Sequence, residues 1–313
     1  MLRRALIAAL LGVLAMPALA QSFPDRPVTL LVGYPPGGNT DLMARALQAD
    51  LSRLLGVSVV VQNKGGAAGT IAAVDIARAQ ADGHTLLFTP NNPITAQPHM
   101  RALPYGMDSF RFICMTYDNP QVLIAGPKSP FQDFAGFTAM ARQGGQALVF
   151  ATPGQGSTQH LLMAQLLAAL GGDGLHVPFT GAAPMVQALL GGQVMAFVES
   201  TAIARNSDLP VLAVFGRTRL EAAPNAPTLT ELGVPLIGSS SGGILAPTGV
   251  SDAVAARLEA ACTEAARTQA YIQAATRLNA GPQALGGAAF RAHFQAESDA
   301  AQTTVRALGL GKD

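Results

Sequence analysis

Ser157 and His160 carry the side chains that hydrolases use as nucleophile and general base. They lie three positions apart at the predicted start of a helix, and Ser157 is not part of the Gly-x-Ser-x-Gly elbow that exposes a catalytic serine. No acid that would orient the imidazole is found near His160. A secreted hydrolase or isomerase is therefore the less favoured alternative. Ser157 is better explained as a helix N-cap or as a donor to a carboxylate, and His160 either orients its loop or packs in the core.

Two glycine-rich corners suggest a different chemistry, the binding of a small anion. The first follows the apolar strand Val28–Val32, since residues 33–40 contain two prolines and three glycines, and Asp41 is predicted to cap a helix that ends at Gly56. Strand, glycine-rich loop and helix start recur in this order at residues 147–170. Such corners present unpaired backbone N–H groups and the positive end of a helix dipole. Two facing corners of this design predict a cleft for a small anion.

Two acids belong to these corners, and each has more than one role open to it. Asp41 caps its helix, contacts a ligand ammonium or a bridging water, or does both. Glu199 ends a buried strand near the predicted cleft, and we expect it to face a backbone donor or a hydroxyl or amine of the ligand. Residues 154–159 lack the last glycine of a dinucleotide fingerprint and no phosphate-binding P-loop occurs, so no cofactor is predicted. No metal site is predicted either, because no metal-ligand spacing connects His84, His99, His176 and His293.

The composition excludes one class of partner. Charged residues make up 12% of the chain, the formal net charge is +1 and aromatic residues are only 5%. Without a basic run or aromatic surface, nucleic-acid binding is not expected. The hydrophobic fraction of 49% predicts many buried elements.

Residues 1–20 have the pattern of a cleavable signal peptide. Arg3 and Arg4 precede an apolar run, and a small-x-small site ends at Ala20. We therefore expect export to the periplasm and a mature chain long enough for two domains. In that compartment Cys114 and Cys262 form a disulfide, or else they are two buried thiols; their spacing fits no zinc or redox motif.

The elements that position the corners alternate between strand and helix, which predicts open, largely parallel α/β sheets. The last third is predicted to contain helices without strands of their own, packed on the sheet of the first half. The chain should therefore cross between domains near Gln121 and near Ala246. The predicted domains are residues 22–121 plus 247–313 and residues 122–246. Predicted strands are 28–32, 58–62, 84–89, 121–126, 147–151, 176–179, 193–198 and 210–215; predicted helices include 41–55, 70–79, 158–170, 183–190, one starting at Ser251, and 288–308.

Nine segments carry a resemblance to a known family. They are 23–28, 33–41, 62–69, 81–87, 103–105, 151–161, 176–181, 189–194 and 226–235. On these segments the chain resembles the Bug family of periplasmic binding proteins, the substrate-binding receptors of tripartite tricarboxylate transporters. The segments occur in family order and span nearly the whole mature chain.

The resemblance implies a two-lobed periplasmic-binding-protein fold of type II-like architecture, an α/β fold in which each lobe is an open mixed sheet flanked by helices, with a double hinge crossover. It implies a binding protein, not an enzyme, that traps a small carboxylate and docks on membrane permease subunits; a sensor subunit with the same cleft is an alternative. We expect a monomer, because a closing cleft needs two free lobes. In the family, backbone N–H groups, hydroxyls and waters hold the ligand carboxylate. The implied binding residues are Tyr34, Pro36, Gly37, Gly38, Thr40 and Asp41 in the first corner and Thr152, Gly156, Ser157, Thr158, His160, Thr180 and Glu199 in the second.

The sequence departs from the family pattern at four positions. Gln165 and Met195 stand where an acidic residue is usual, Thr180 where lysine is frequent, and Ser241 where tryptophan is common. Several of these positions lie around the second corner and the hinge, so they bear on the class of ligand and not on the fold.

Overall fold

The computed structural model describes residues 23–179, 182–278 and 280–311. The predicted signal peptide and Thr180 lie outside these residues. All eight predicted strands overlap observed strands. The strands of the described residues are β1 (Val28–Val32), β2 (Val59–Asn63), β3 (Thr85–Pro90), β4 (Phe110–Ala125), β5 (Val149–Thr152), β6 (Leu175–Pro178), β7 (Ala196–Ser200), β8 (Val211–Val214), β9 (Ser239–Pro247) and β10 (Gly281–Gly286).

Eleven α-helices accompany these strands in the described part of the chain. The predicted last helix is confirmed to within a residue at each end, and Ser251 caps its helix as predicted. The helices are α1 (Asn39–Leu55), α2 (Thr70–Ala77), α3 (Asn92–Thr95), α4 (Gln97–Met100), α5 (Phe134–Gln143), α6 (Thr158–Leu170), α7 (Ala182–Gly191), α8 (Thr201–Asn206), α9 (Asp252–Ala266), α10 (Gln269–Arg277) and α11 (Gly287–Ala307). None of the helices described here is both long and apolar enough to span a bilayer.

The strands form two sheets that share β4. In the first, β2, β1 and β3 are parallel neighbours, and β9 joins β3 to β4 in antiparallel pairing. In the second, β6, β5 and β7 are parallel, and β4 lies antiparallel to β7 and β8. The carboxyl ends of the parallel strands therefore converge at the middle of the molecule, where ligands bind in open α/β sheets.

The strand β4 is longer than predicted. Residues 110–120 pair with β9 in the first sheet and residues 121–125 pair with β7 in the second. The sequence prediction placed this strand at 121–126 only, although a proline inside a strand is tolerated where its missing N–H group is not needed for pairing. Here Pro120 lies at the passage between the two sheets.

The expectation that the last third lacks strands of its own is wrong. β9 pairs with both β3 and β4 from Ser239 onward, and β10 pairs with β4. Both strands are rich in serine, glycine or proline, which have low strand propensity, so their conformation depends on pairing with β4. The domain boundaries themselves stay a prediction.

Helices cover both faces of each sheet. The helices α1, α9 and α10 pack on one face of the first sheet, and α2, α3 and α11 pack on the other. In the second sheet α5 and α6 cover one face, and α7 and α8 the other. Cys114 in β4 and Cys262 in α9 are fully buried in the first of these cores and form a disulfide with a Cα–Cα distance of 6.2 Å. The pairing decides between the two states that the sequence left open.

Candidate functional site

The first corner ends in a helix N-terminus without a side-chain cap. The N-cap of α1 is Gly38, so the prediction that Asp41 is the N-cap is wrong. The first backbone bond of the helix runs from Leu42 N to Gly38 O over 3.0 Å. The N–H groups of the three preceding residues, 39–41, have no partner within the helix. This corner therefore offers the open positive end of a 17-residue helix.

Asp41 holds the glycine loop in place. Its buried carboxylate accepts hydrogen bonds from Gly37 N at 2.8 Å, Arg45 Nε at 3.0 Å and Asn63 Nδ2 at 2.8 Å. Burial alone would raise the pKa of Asp41, but these hydrogen bonds and the Arg45 charge hold it below its usual value. Asp41 therefore binds Asn63, Arg45 and the loop instead of capping the helix. Local sequence preference does not reveal such partners. The oxygens of Asp41 are engaged by protein donors, and Thr40 beside it is buried.

The ends of β1, β2 and β3 pack closely. The Tyr34 hydroxyl donates to Ala68 O at 3.1 Å. A Cβ at Gly69 would lie 2.8 Å from the Pro93 ring and 3.0 Å from the Tyr34 ring, and Gly69 has φ +87°, so only glycine fits there. Pro36 and Gly37 are exposed at the tip of the first loop.

The second corner is capped by a side chain. Ser157 is the N-cap of α6, which confirms the first of its two predicted roles. Its Oγ accepts a hydrogen bond from His160 N at 3.2 Å. Since Oγ acts there as an acceptor, its proton remains available to a ligand oxygen. The His160 imidazole makes no bond to Ser157; its Nδ1 accepts from Gly156 N at 3.0 Å. This geometry differs from that of a nucleophile and its base, and it matches the loop-orienting role of His160.

The second corner contacts the segment that follows β3 through residues that the sequence analysis missed. Asn92 Nδ2 donates to Gly156 O at 2.6 Å, and Gln97 Nε2 donates to the same oxygen at 3.2 Å. Thr158 Oγ1 donates to Asn91 Oδ1 at 3.3 Å. The two asparagines could have been predicted from the sequence. They follow β3, which runs parallel to β1, so the carboxyl ends of both strands lie at the same edge of the sheet. No such pattern predicted Gln97.

Glu199 lies where β7 ends, close to the start of α6. Its Oε1 accepts from Gln159 Nε2 at 3.1 Å and from Ser200 N at 3.0 Å. The expected backbone donor is therefore present. Burial raises the pKa of Glu199, although both hydrogen bonds oppose the shift.

A cavity of about 510 Å³ lies beside this contact with the segment after β3, between α6 and α11. Of the predicted binding residues in the described chain, Thr158 alone lines it, together with Asn91. Its titratable residues include two acids, Asp118 and Glu297, together with Arg217 and His293, and His293 Nε2 lies 3.3 Å from Glu297 Oε1. The two acids are matched by two basic groups, so the cavity carries no excess of positive charge, whereas the helix N-termini of the corners offer a positive dipole end to a carboxylate.

Three departures from the family pattern also lie away from the helix N-termini. Gln165 Nε2 donates to Thr304 Oγ1 at 2.5 Å, which joins α6 to α11. Ser241 Oγ donates to Glu297 Oε1 at 3.1 Å beside the cavity. Met195 packs on the core of the second sheet. Within the described ranges no cluster of three metal-ligating side chains occurs.

Known proteins resemble this chain over most of its length. Residues 43–310 match the family described as tripartite tricarboxylate transporter family receptor. A Cupriavidus necator protein described as "UPF0065 protein in gbd 5'region" is 31% identical over 97% of this chain and 94% of its own length. BugT of Bordetella pertussis is 32% identical over 86% of this chain and 85% of its own.

Solved structures show the same fold. The periplasmic binding protein BugD superposes with a TM-score of 0.81 at 27% identity, over 93% of this chain and all of that chain. MatC from Rhodopseudomonas palustris, solved with bound malate, has a TM-score of 0.80 at 28% identity over 90% of this chain and 100% of its own. A second R. palustris protein, solved with adipate, has a TM-score of 0.83 at 26% identity over 92% of this chain and 99% of its own.

Proposed function

Because the chain belongs to the tripartite tricarboxylate transporter receptor family, we propose that it captures a small organic carboxylate between its two corners. The observation that carries this proposal is the uncapped N-terminus of α1 at Gly38. Neither corner, residues 33–41 or 152–160, contains a lysine or arginine. A carboxylate would therefore be held by backbone N–H groups and hydroxyls, as anions are at helix N-termini. The malate and adipate of the structural relatives are small dicarboxylates, which supports this class of ligand.

The two sheets would act as the two lobes of this binding protein. In the proposal, the chain is exported to the periplasm after cleavage of residues 1–20, works as a monomer and presents its ligand to membrane permease subunits. The lobes would be residues 22–121 plus 247–313 and residues 122–246. The pairing of β9 with the first sheet from Ser239 onward argues for moving the second boundary to about residue 238. Closure of the lobes would trap the ligand, and occupancy would shift the equilibrium between open and closed forms.

A matched ligand panel tests the proposal. We expect succinate, malate or adipate to raise the melting temperature of residues 21–313 by several degrees at saturating concentration, because a ligand that binds only the folded state stabilises it. The corresponding diamides have nearly the same shape without the charge, and they should produce no shift. Equal shifts with acids and diamides, or none with any acid, would contradict carboxylate capture. The measurement is thermal unfolding followed by circular dichroism, with titration calorimetry of each hit.

A pair of serine variants locates the ligand. Ser157 and Ser251 are both helix N-caps, on α6 and α9, so Ser157→Ala and Ser251→Ala should each cost about 1 kcal/mol of stability. Only Ser157→Ala should also weaken carboxylate binding, by about tenfold, because it removes one hydrogen bond to a charged group. Calorimetric affinities at pH 7.5 measure the difference. An unchanged affinity in Ser157→Ala would place the ligand elsewhere.

A further inference from the structure

We infer that His160 and His176 form a stacked neutral pair that positions the binding loop, and that protonation of this pair releases the loop from the first lobe. The loop consists of residues 152–157, between β5 and α6. This inference rests on the proposed function, because the loop matters to a ligand only if the second corner binds one. It makes His160 a positioning residue and gives the corner a sensitivity to pH.

The first half of the pair fixes Gly156. Nδ1 of His160 accepts a hydrogen bond from Gly156 N at 3.0 Å, so it carries no proton, and a neutral ring must carry its proton on Nε2. Gly156 has φ +72°, and a Cβ there would lie 2.2 Å from the Met100 side chain. The loop therefore needs glycine at this position and a side-chain acceptor for its N–H group.

The second half of the pair fixes the start of the loop. Nε2 of His176 lies 2.6 Å from Thr152 Oγ1, and this hydroxyl also lies 3.1 Å from Gly154 O and accepts from Gly154 N at 3.3 Å. His176 therefore ties Thr152 and the glycine turn after it together, whichever of the two atoms holds the shared proton. The His160 and His176 rings stack with centroids 4.0 Å apart and an interplanar angle of 13°, and Phe150 stacks on the other side of His176 at 5.3 Å.

The surroundings of both rings disfavour positive charge. Burial lowers the pKa of His160 to about 4, with a further contribution from His176, and burial also lowers the pKa of His176. Protonation of both rings would place two positive charges next to each other, across the contact between α6 and β6. Glu199, at the end of neighbouring β7, accepts its hydrogen bonds from Gln159 and Ser200 and from neither ring. An imidazolium here has no counter-ion among the described ion pairs.

Gly156 connects this pair to the other lobe. Its N–H group is held by His160, while its carbonyl accepts from Asn92 and Gln97 on the first-lobe side. Protonation of Nδ1 turns the acceptor into a second donor facing the Gly156 N–H group, so the loop must move and these bonds between the lobes are lost. Since the folded pKa of His160 lies below the unfolded value of about 6.5, the pair stabilises the contact of Gly156 with Asn92 and Gln97 above pH 6.5. That contribution is lost as the pH falls from there through about 4.

The experiment compares the wild type with His160→Asn and His160→Ala between pH 7.5 and 4.0. Asparagine keeps an acceptor near the position of Nδ1 but does not titrate, whereas alanine removes it. With the carboxylate that binds best in the panel, His160→Asn should bind within threefold of wild type at pH 7.5, and His160→Ala at least tenfold more weakly. Wild type should lose about twofold more affinity than His160→Asn on going to pH 4.0, because about half of His160 is then protonated. The ligand's own titration cancels in this comparison, and parallel pH profiles would overturn the inference.

A readout without ligand separates this inference from the proposed function. Imidazole ¹⁵N chemical shifts of the protein, labelled at its five histidines, report tautomer and protonation state. We expect His160 to be a neutral Nε2–H tautomer that titrates well below pH 6, and His176 to have a pKa below its usual value because of burial. A His160 that titrates near pH 6.5, or that carries its proton on Nδ1, would overturn the positioning role even if carboxylates bind. Failure of every carboxylate with the expected tautomer of His160 would count against the proposed function alone.

Discussion

Gly38→Asp should abolish carboxylate binding while leaving the protein at least as stable as the wild type. The two effects have one cause, because an N-cap side chain occupies the place where an anion would bind. In the wild type no side chain satisfies the first N–H groups of α1. An aspartate at the N-cap accepts hydrogen bonds from these groups and places its negative charge at the positive end of the helix.

The backbone at Gly38 tolerates this change. Its φ of −74° and ψ of 162° are those of an ordinary N-cap residue, and the nearest atom to an added Cβ is Pro35 O at 3.4 Å. Replacing glycine at an N-cap typically adds a few tenths of a kcal/mol to stability. The affinity should fall by at least 100-fold, because the ligand loses two or more charge-assisted hydrogen bonds of about 1.5–3 kcal/mol each.

Two further variants separate the effect of filling the N-cap position from the effect of the added negative charge. Gly38→Asn caps the helix without a charge and should also block binding, though less completely than the aspartate. Ser251→Asp adds the same charge at the N-cap of α9 and should leave affinity unchanged. Calorimetric affinity for the best carboxylate and urea unfolding at pH 7.5 are the measurements. If Gly38→Asp binds as the wild type does, the N-terminus of α1 is not the anion site.

The elements that form the corners were predictable from local pattern. Short apolar runs followed by glycine-rich loops marked β1 and β5, and apolar residues at helical positions marked α1 and α6. Ser157 was identifiable as an N-cap because serine is a strong capping residue and the apolar helix follows directly. These features depend on a few neighbouring residues, so the sequence shows them.

The features that were missed depend on partners distant in the chain. Asp41 is a better N-cap than glycine by local preference, yet Asn63 and Arg45 hold it inside the first turn. Gln97 reaches Gly156 across 59 positions, and β10 exists because it pairs with β4. No local pattern encodes such contacts, which is why the corners were predicted and the contact of the second corner with the segment after β3 was not.

Removing the disulfide should destabilise the protein more than any other single change short of core disruption. Cys114 and Cys262 close a loop of 148 residues that contains the whole second sheet, while both lie in the core of the first. The chain-entropy estimate for a loop of this length is about 5 kcal/mol, and typical measured values are about 2–4 kcal/mol. The pair Cys114→Ala and Cys262→Ala avoids burying a hydroxyl group, so the loss reports mainly the missing cross-link.

We expect the double alanine variant to lose at least about 2 kcal/mol of unfolding free energy in urea at pH 7.5. Wild type treated with a reductant should lose a similar amount, and reductant should leave the variant unchanged. Because both cysteines are fully buried in the core of the first sheet, the folded variant should bind its carboxylate with wild-type affinity. The cross-link between β4 and α9 would thus stabilise the fold without changing the geometry of the binding site. Equal stability of variant and wild type would mean that the two sulfur atoms are not joined in solution.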